Sequence, residues 1–293
     1  MYKRQQIIDI ALGLEGLRRQ DGIHAAAIVI SPDTITKFLP IQQKGSNAEI
    51  VTQYEMHTVE QLGLLKMDFL GLRNLSIVDR TLELIGSESL DIDNLKLDDE
   101  KTFKLFAEGK MTGVFQLESR VAQSTSRSLK PKRFEDIVAL VALIRPGPLG
   151  AGMHNEFADR ANNRKEIEYL HNDLESILNE TYGVILYQEQ VMQIAEKIAG
   201  FNLQEADNLR VAMGKKIPKV MEEQRKKFTD GAVSNNYSEQ FAIELFDQIA
   251  YFAGYGFNKS HSVPYALLAY QTAYLKANYP AEYIAACLTA VKR

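Results

Sequence analysis

The sequence predicts an α+β fold, mostly α, in which a small antiparallel strip of β-structure precedes a helical domain. Two observations predict it. Between His24 and Phe69 come short β-rich runs, AAAIVIS, ITKFLPI and EIVTQY, separated by Pro-Asp and Lys-Gly-Ser-Asn turn signals and followed by LGLLKMDFL. From Asn74 onward the apolar residues recur at helical spacing instead, as in FEDIVALVALI, EQVMQIAEKIAGF, EADNLRVAM, SEQFAIELFDQIAYF and PYALLAYQTAYLKANY. The texture changes between Gly71 and Asn74, which is the expected domain boundary.

The first element is a predicted helix over 4–20, carried by Ile7, Ile10, Ala11, Leu14 and Leu17 and closed by Asp21-Gly22. A lone helix and a few strands lack the partners that a self-sufficient sheet needs on its edges and faces, so something before residue 1 is expected to complete it. The whole, 293 residues with 45% hydrophobic content, suffices for one large or two small compact domains. It has no run of about eighteen uncharged apolar residues, and its charged, amphipathic start is not a signal peptide, so no membrane association or export is expected. A single cysteine, Cys287, rules out an intramolecular disulfide and fits a cytoplasmic location, with packing as its expected role.

With 34 Lys and Arg against 38 Asp and Glu, the net charge is -4, so any contact with nucleic acid must be local. The basic clusters are RSLKPKR, from Arg127 to Arg133, and Lys215, Lys216, Lys219, Arg225, Lys226 and Lys227. Each is also what a solvated helix face looks like.

Five segments hold residues with chemical potential. In LKMDFL a strand period of two puts Lys66, Asp68 and Leu70 on one face and Leu65, Met67 and Phe69 on the other. That presents either a metal-binding carboxylate beside a phosphate-touching cation or a surface ion pair of small worth, and spacing alone favours the pair. The glycine-interrupted loop AGYGFNKSHSVP, residues 253–264, runs into a helix with Ser262 as the expected N-cap and Pro264 in the first turn. Free amides, the helix dipole, Lys259 and His261 would make a phosphate site there; equally, Ser262 could simply cap while His261 sits exposed.

In DNLRVAMGKK the helix is expected to bury Leu209, Ala212 and Met213 and to point Arg210 elsewhere, and the helix dipole alone accounts for Lys215 and Lys216 at its end. Arg145-Pro146-Gly147-Pro148 fixes a rigid bend after an apolar helix and holds an arginine that is either functional or structural. Tyr187-Gln188-Glu189-Gln190 opens a helix and offers Gln188 to a base or sugar edge, though a polar helix start needs no such role. The five histidines have no ligand spacing, and neither a Cys/His cluster nor a Gly-x-Ser-x-Gly elbow is present.

Taken in order, HAAAIVIS, LKMDFLGL, GVFQLESR, FEDIVALVALIRPGPL, TYGVILYQEQVMQIA, ADNLRVAMGKK and FAGYGFNKSHSVPYALLAYQTAYLKANYPAEY resemble the bacterial DNA polymerase III alpha subunits, collinearly over nearly the whole chain. The resemblance implies a helix at the end of the thumb (1–22), the last segment of a palm of the β-nucleotidyltransferase type (23–73) and a helical fingers domain (74–293). It implies template-directed DNA synthesis by two-metal nucleotidyl transfer, with Asp68 as the third carboxylate of a Mg²⁺ site and Lys66 its phosphate-contacting neighbour. Arg210, Lys259, Ser260, His261 and Arg145 would meet the nucleotide triphosphate, with Lys215, Lys216 and Gln188 as weaker DNA or phosphate contacts. The implied partners are primer–template DNA, deoxynucleoside triphosphates, the remainder of the alpha subunit, and the sliding clamp and other holoenzyme subunits through regions absent here.

Two features depart from the family's pattern. Its paired Asp-x-Asp acids are missing, and Val211 stands where a second basic residue commonly follows Arg210. The isolated chain is therefore expected to be inactive in synthesis. Two other readings stay open, a nucleotide or primer–template binding module and a purely structural piece that self-associates through uncovered apolar surface.

Overall fold

The computed structural model describes residues 2–17, 22–43, 45, 48–86, 90–215, 218–253 and 255–290. It divides into two compact units, 1–72 and 73–293.

The first unit holds α1 (Tyr2–Leu14), β1 (Ala27–Ile30), β2 (Ile41–Gln43), β3 (Ile50–Thr52), α2 (Met56–Gln61) and β4 (Leu65–Asp68). The helix expected over 4–20 ends at Leu14, because Gly16 takes a positive φ of 84° that leaves the helical region; residues 18–21 lie outside the described residues. ITKFLPI is not one strand: Ile35–Lys37 forms a 3₁₀ turn, and β2 starts only after Pro40, which has no N–H to give a ladder. The strands form two antiparallel pairs, β1 with β4 (Ala27 opposite Asp68, Val29 opposite Lys66) and β2 with β3 (Ile41 opposite Thr52).

One face of the β1–β4 pair faces a small core of Leu39, Val59 and Leu64, against which Val29, Ile35 and Ile41 pack. The other carries Ile28, Ile30, Leu65 and Met67, and all four are exposed, Leu65 to 55%. The apolar face expected to back Asp68 is thus uncovered. On α1, Ile7, Ile10 and Leu14 are exposed as well.

The second unit is helical: α3 (Arg73–Ile85), α4 (Glu100–Ala107), α5 (Arg120–Leu129), α6 (Phe134–Leu143), α7 (Pro146–Gly150), α8 (Met153–Ala161), α9 (Glu175–Leu178), α10 (Gln188–Ala199), α11 (Leu203–Lys215), α12 (Pro218–Ser234), α13 (Glu239–Ala253), α14 (Lys259–Asn278) and α15 (Pro280–Thr289). Helix α6 is apolar all round, and eight of its ten residues, Asp136 to Leu143, are buried. It packs on α14, and with α4, α5 and α8 the two enclose Phe106, Met111, Leu140, Phe157 and Tyr270. A second core joins α10 to α13 through Ile194, Leu209, Phe228, Phe246 and Ile249. There α12 crosses α10 so closely that a Cβ on Gly231 would lie 2.2 Å from the Ala199 carbonyl oxygen. A third joins α3, α14 and α15 through Ile77, Leu275 and Tyr283.

Helix α14 begins three residues before the expected cap. Asn258 is its N-cap, its side-chain oxygen accepting the His261 N–H at 2.8 Å. Ser262 is inside the helix and buried; its hydroxyl donates to the Val138 carbonyl at 2.7 Å, tying α14 to α6. Asn258 has an N–H at the right spacing to accept from, whereas Ser262 has a buried acceptor across the helix pair. Among the described residues no helix is long and apolar enough to cross a membrane.

Candidate nucleotide-binding site

Three segments of the second unit converge. The backbone ahead of α10 pairs with the loop before α14 in a single parallel bridge between Tyr187 and Phe257, through Gln188 N–H to the Phe257 carbonyl (2.9 Å) and Phe257 N–H to the Leu186 carbonyl (3.3 Å). The Gln188 side chain donates to the Gly256 carbonyl at 3.3 Å, so its amide serves the loop. The Arg145 bend joins the same place: a Cβ on Gly147 would lie 2.1 Å from the Tyr255 ring, so only glycine allows this approach. Pro146 starts α7 at the position where its missing N–H is harmless.

This convergence stacks Arg145 over Phe257, 4.5 Å from guanidinium carbon to ring centroid, and sets His261 against Phe257 at 5.5 Å and Tyr265 at 4.3 Å. Arg145 Nη1 is buried with no protein acceptor, and burial draws the guanidinium below its ordinary pKa while leaving it charged. An unpaired, partly desolvated cation is a place for an anion. Lys259 is differently placed. Its Nζ contacts Glu180 at 2.6 Å and lies 5.6 Å from the centre of the Tyr187 ring, and its backbone N–H is shared between the Glu189 carboxylate oxygens at 2.9 and 3.0 Å. Tyr187 is buried, and its hydroxyl is pushed up by that burial and then by the charges of Glu180 and Glu189. Ser260 and His261 are exposed beside it.

Of the residues singled out in the sequence, Arg145, Gln188, Lys259, Ser260 and His261 therefore come together. Arg210 does not join them by any described contact: it lies on α11, its Nε donating to Asp207 at 2.8 Å, and Val211 beside it is exposed. Lys216 and the side chain of Lys215 lie outside the described residues. In the first unit Lys66 Nζ reaches both oxygens of Asp68, at 2.7 and 2.9 Å, and this bond holds the Asp68 carboxyl below its usual range. Among the described residues no group of three or more His, Cys, Asp and Glu side chains could hold a metal ion. Asp68 alone does not fit a pair of Mg²⁺ ions.

Sequence reasoning missed Glu180 and Glu189, which meet Lys259 across 79 and 70 residues, and no local pattern marks them. It also missed Asp136, buried at the start of α6, which accepts from Arg133 Nε at 3.2 Å, the Lys132 N–H at 2.9 Å and the Tyr182 hydroxyl at 2.9 Å. Arg133 Nη2 continues to the Glu180 carbonyl at 2.6 Å, which anchors the segment carrying Glu180 to α6. A concavity of about 1000 Å³ along α13 is lined by Met153, Ile185, Ile243 and Tyr251 with Glu239, Glu244 and Asp247, an acidic wall unsuited to phosphate.

Comparison with known proteins shows the family. The family model described as the bacterial DNA polymerase III alpha subunit finger domain matches residues 74–236, and that described as the bacterial DNA polymerase III alpha NTPase domain matches residues 2–71. DNA polymerase III subunit alpha of Escherichia coli K12 is 49% identical over 97% of this chain, that of Buchnera aphidicola 48% over 99%, and that of Mycobacterium tuberculosis H37Rv 46% over 97%. The chain spans only about a quarter of these relatives, 26%, 26% and 25%. Over most of its length, then, this chain belongs to the family of bacterial DNA polymerase III alpha subunits.

Proposed function

We propose that the chain is part of a replicative, DNA-directed DNA polymerase of the cytoplasm and that its helical unit binds the triphosphate of the incoming deoxynucleotide. The observation that carries this reading is the convergence of the Arg145 bend, the Tyr187–Glu189 segment and the Lys259–His261 helix start on one place. Arg145, already partly desolvated, offers a phosphate a charge-assisted bond at a reduced dehydration cost. Lys259, Ser260 and His261 sit at a helix start, where amides and dipole favour an anion. These groups would neutralise a leaving pyrophosphate as a primer 3′-hydroxyl attacks the α-phosphate. Arg210 would add a contact from α11, and Lys215, Lys216 and Gln188 would lie toward DNA or its phosphates.

Asp68, paired with Lys66, would serve as one carboxylate of a Mg²⁺ centre whose other acids come from the rest of the polymerase, so the chain alone would not extend a primer. DNA, the remainder of the subunit, the clamp and other holoenzyme subunits are the partners this implies. That single carboxylate also favours a second reading, in which the chain by itself is a binding module.

Calorimetric titration of a deoxynucleoside triphosphate into the chain tests the reading. Lys259→Ala and Arg145→Ala are each expected to weaken binding about ten- to hundredfold, the effect of losing a charged hydrogen bond of about 1.5–3 kcal/mol. Unchanged affinity in both variants would refute it.

A further inference from the structure

Of the groups proposed to meet the triphosphate, Lys259 and the start of α14 are already occupied by the protein's own carboxylates, while Arg145 is not. Glu189 takes the first amide of α14, at 2.9 and 3.0 Å, in the position an anionic ligand would take at a helix start. Glu180 takes the Lys259 ammonium, at 2.6 Å. Arg133, which touches the same segment, is bound to Asp136 and the Glu180 carbonyl and is not free to compensate. Around this helix start three carboxylates, Asp136, Glu180 and Glu189, meet Arg133 and Lys259, and Arg145 lies apart from them over Phe257 without a carboxylate. A polyanion could not settle there while both glutamates stay, since like charges at contact distance in a partly desolvated place repel strongly.

The two glutamates are also able to leave. The Glu180 side chain is 31% exposed and Glu189 is half-buried, so each has water to move into, whereas Asp136 is buried and fixed by four hydrogen bonds. The Lys259 side chain is 34% exposed, and its ammonium lies 5.6 Å from the centre of the buried Tyr187 ring. The helix start, tied to α6 through Ser262, is the fixed part of the site, and the side chains of Glu180 and Glu189 are the part with room to move.

We infer that Glu180 and Glu189 act as an internal stand-in for the triphosphate, holding Lys259 and the start of α14 in register when no nucleotide is bound and exchanging for phosphate oxygens when one arrives. This rests on the reading of the site given above. It sets a threshold: a ligand must bring enough negative charge to displace both glutamates, so triphosphates are favoured over monophosphates beyond the number of new contacts. A residue that only capped or positioned the helix would behave oppositely, because its loss would weaken ligand binding.

The test is calorimetric titration of a deoxynucleoside triphosphate, and of the matching monophosphate, into the chain and into Glu180→Gln, Glu189→Gln, the double variant, Glu180→Asp and Lys259→Ala. Each Gln variant is expected to bind triphosphate about three- to tenfold more tightly, the double variant more tightly still, and the preference for triphosphate over monophosphate to narrow. Glu180→Asp, which keeps the charge and the fold, should bind like the parent. Gln variants that bind as the parent does or more weakly, while Lys259→Ala still loses affinity, would overturn the exchange and leave the site standing. Lys259→Ala binding as tightly as the parent would overturn the exchange, and Arg145→Ala doing the same would bring down the site with it.

Discussion

Helix α6 and strand β4 are both rich in apolar side chains, yet one is enclosed and the other is open. Every residue of α6 from Asp136 to Leu143 is buried, whereas Leu65 and Met67 of β4, with Ile28 and Ile30 opposite, stand exposed on a two-stranded ladder. A strip of two strands has one face on the small core of Leu39, Val59 and Leu64 and, among the described residues, an exposed apolar face on the other side, and two strands alone are marginal in water. The helical unit supplies every partner that α6 needs from within itself. Apolar patterning therefore states what a surface is made of, while the number of neighbouring elements decides whether it is covered.

Substitutions sharpen this contrast. Phe106→Ala, at the centre of the first helical core, is expected to cost about 3–5 kcal/mol, read as a lower urea midpoint. A loss below about 1 kcal/mol would mean that the helical unit is as loosely held as the strands. Gly231→Ala forces α12 away from the Ala199 carbonyl and should cost about 1–3 kcal/mol in the same measurement, with no change in apolar burial to account for it. Ile28→Ser and Met67→Ser, on the open face, should each move stability by less than about 0.5 kcal/mol and reduce self-association, to be measured by light scattering over a range of concentrations. A large destabilisation there would show that the face is covered after all.

Much of the fold was legible because its signals are local. The helical spacing of FEDIVALVALI and the alternation of LKMDFL depend on neighbours a few residues away, and both were read correctly as to type. The start of α14 was misread because two good capping residues, Asn258 and Ser262, stand four apart and the decision between them lies with Val138 on another helix. The length of α1 was misread because Gly16, not Gly22, takes the positive φ. The candidate site was legible in its basic and polar residues, since Arg145, Lys259 and His261 sit in unusual strings. Their counter-ions were not. Glu180 and Glu189 are unremarkable in sequence and acquire meaning only through contacts spanning more than 69 residues.

The seat that Gly147 makes for the Tyr255 ring has a consequence for how this region can drift in evolution. The gap between the arginine bend and the loop before α14 is set by a missing methyl group, and most spacings in a protein are set by side chains that a neighbour's substitution can compensate. Here the atom to be accommodated would overlap the Tyr255 ring itself, so a side chain at 147 requires a smaller residue at 255. The spacing between Arg145 and the loop before α14 is thus set by positions 147 and 255 as a pair, which are expected to change together or not at all.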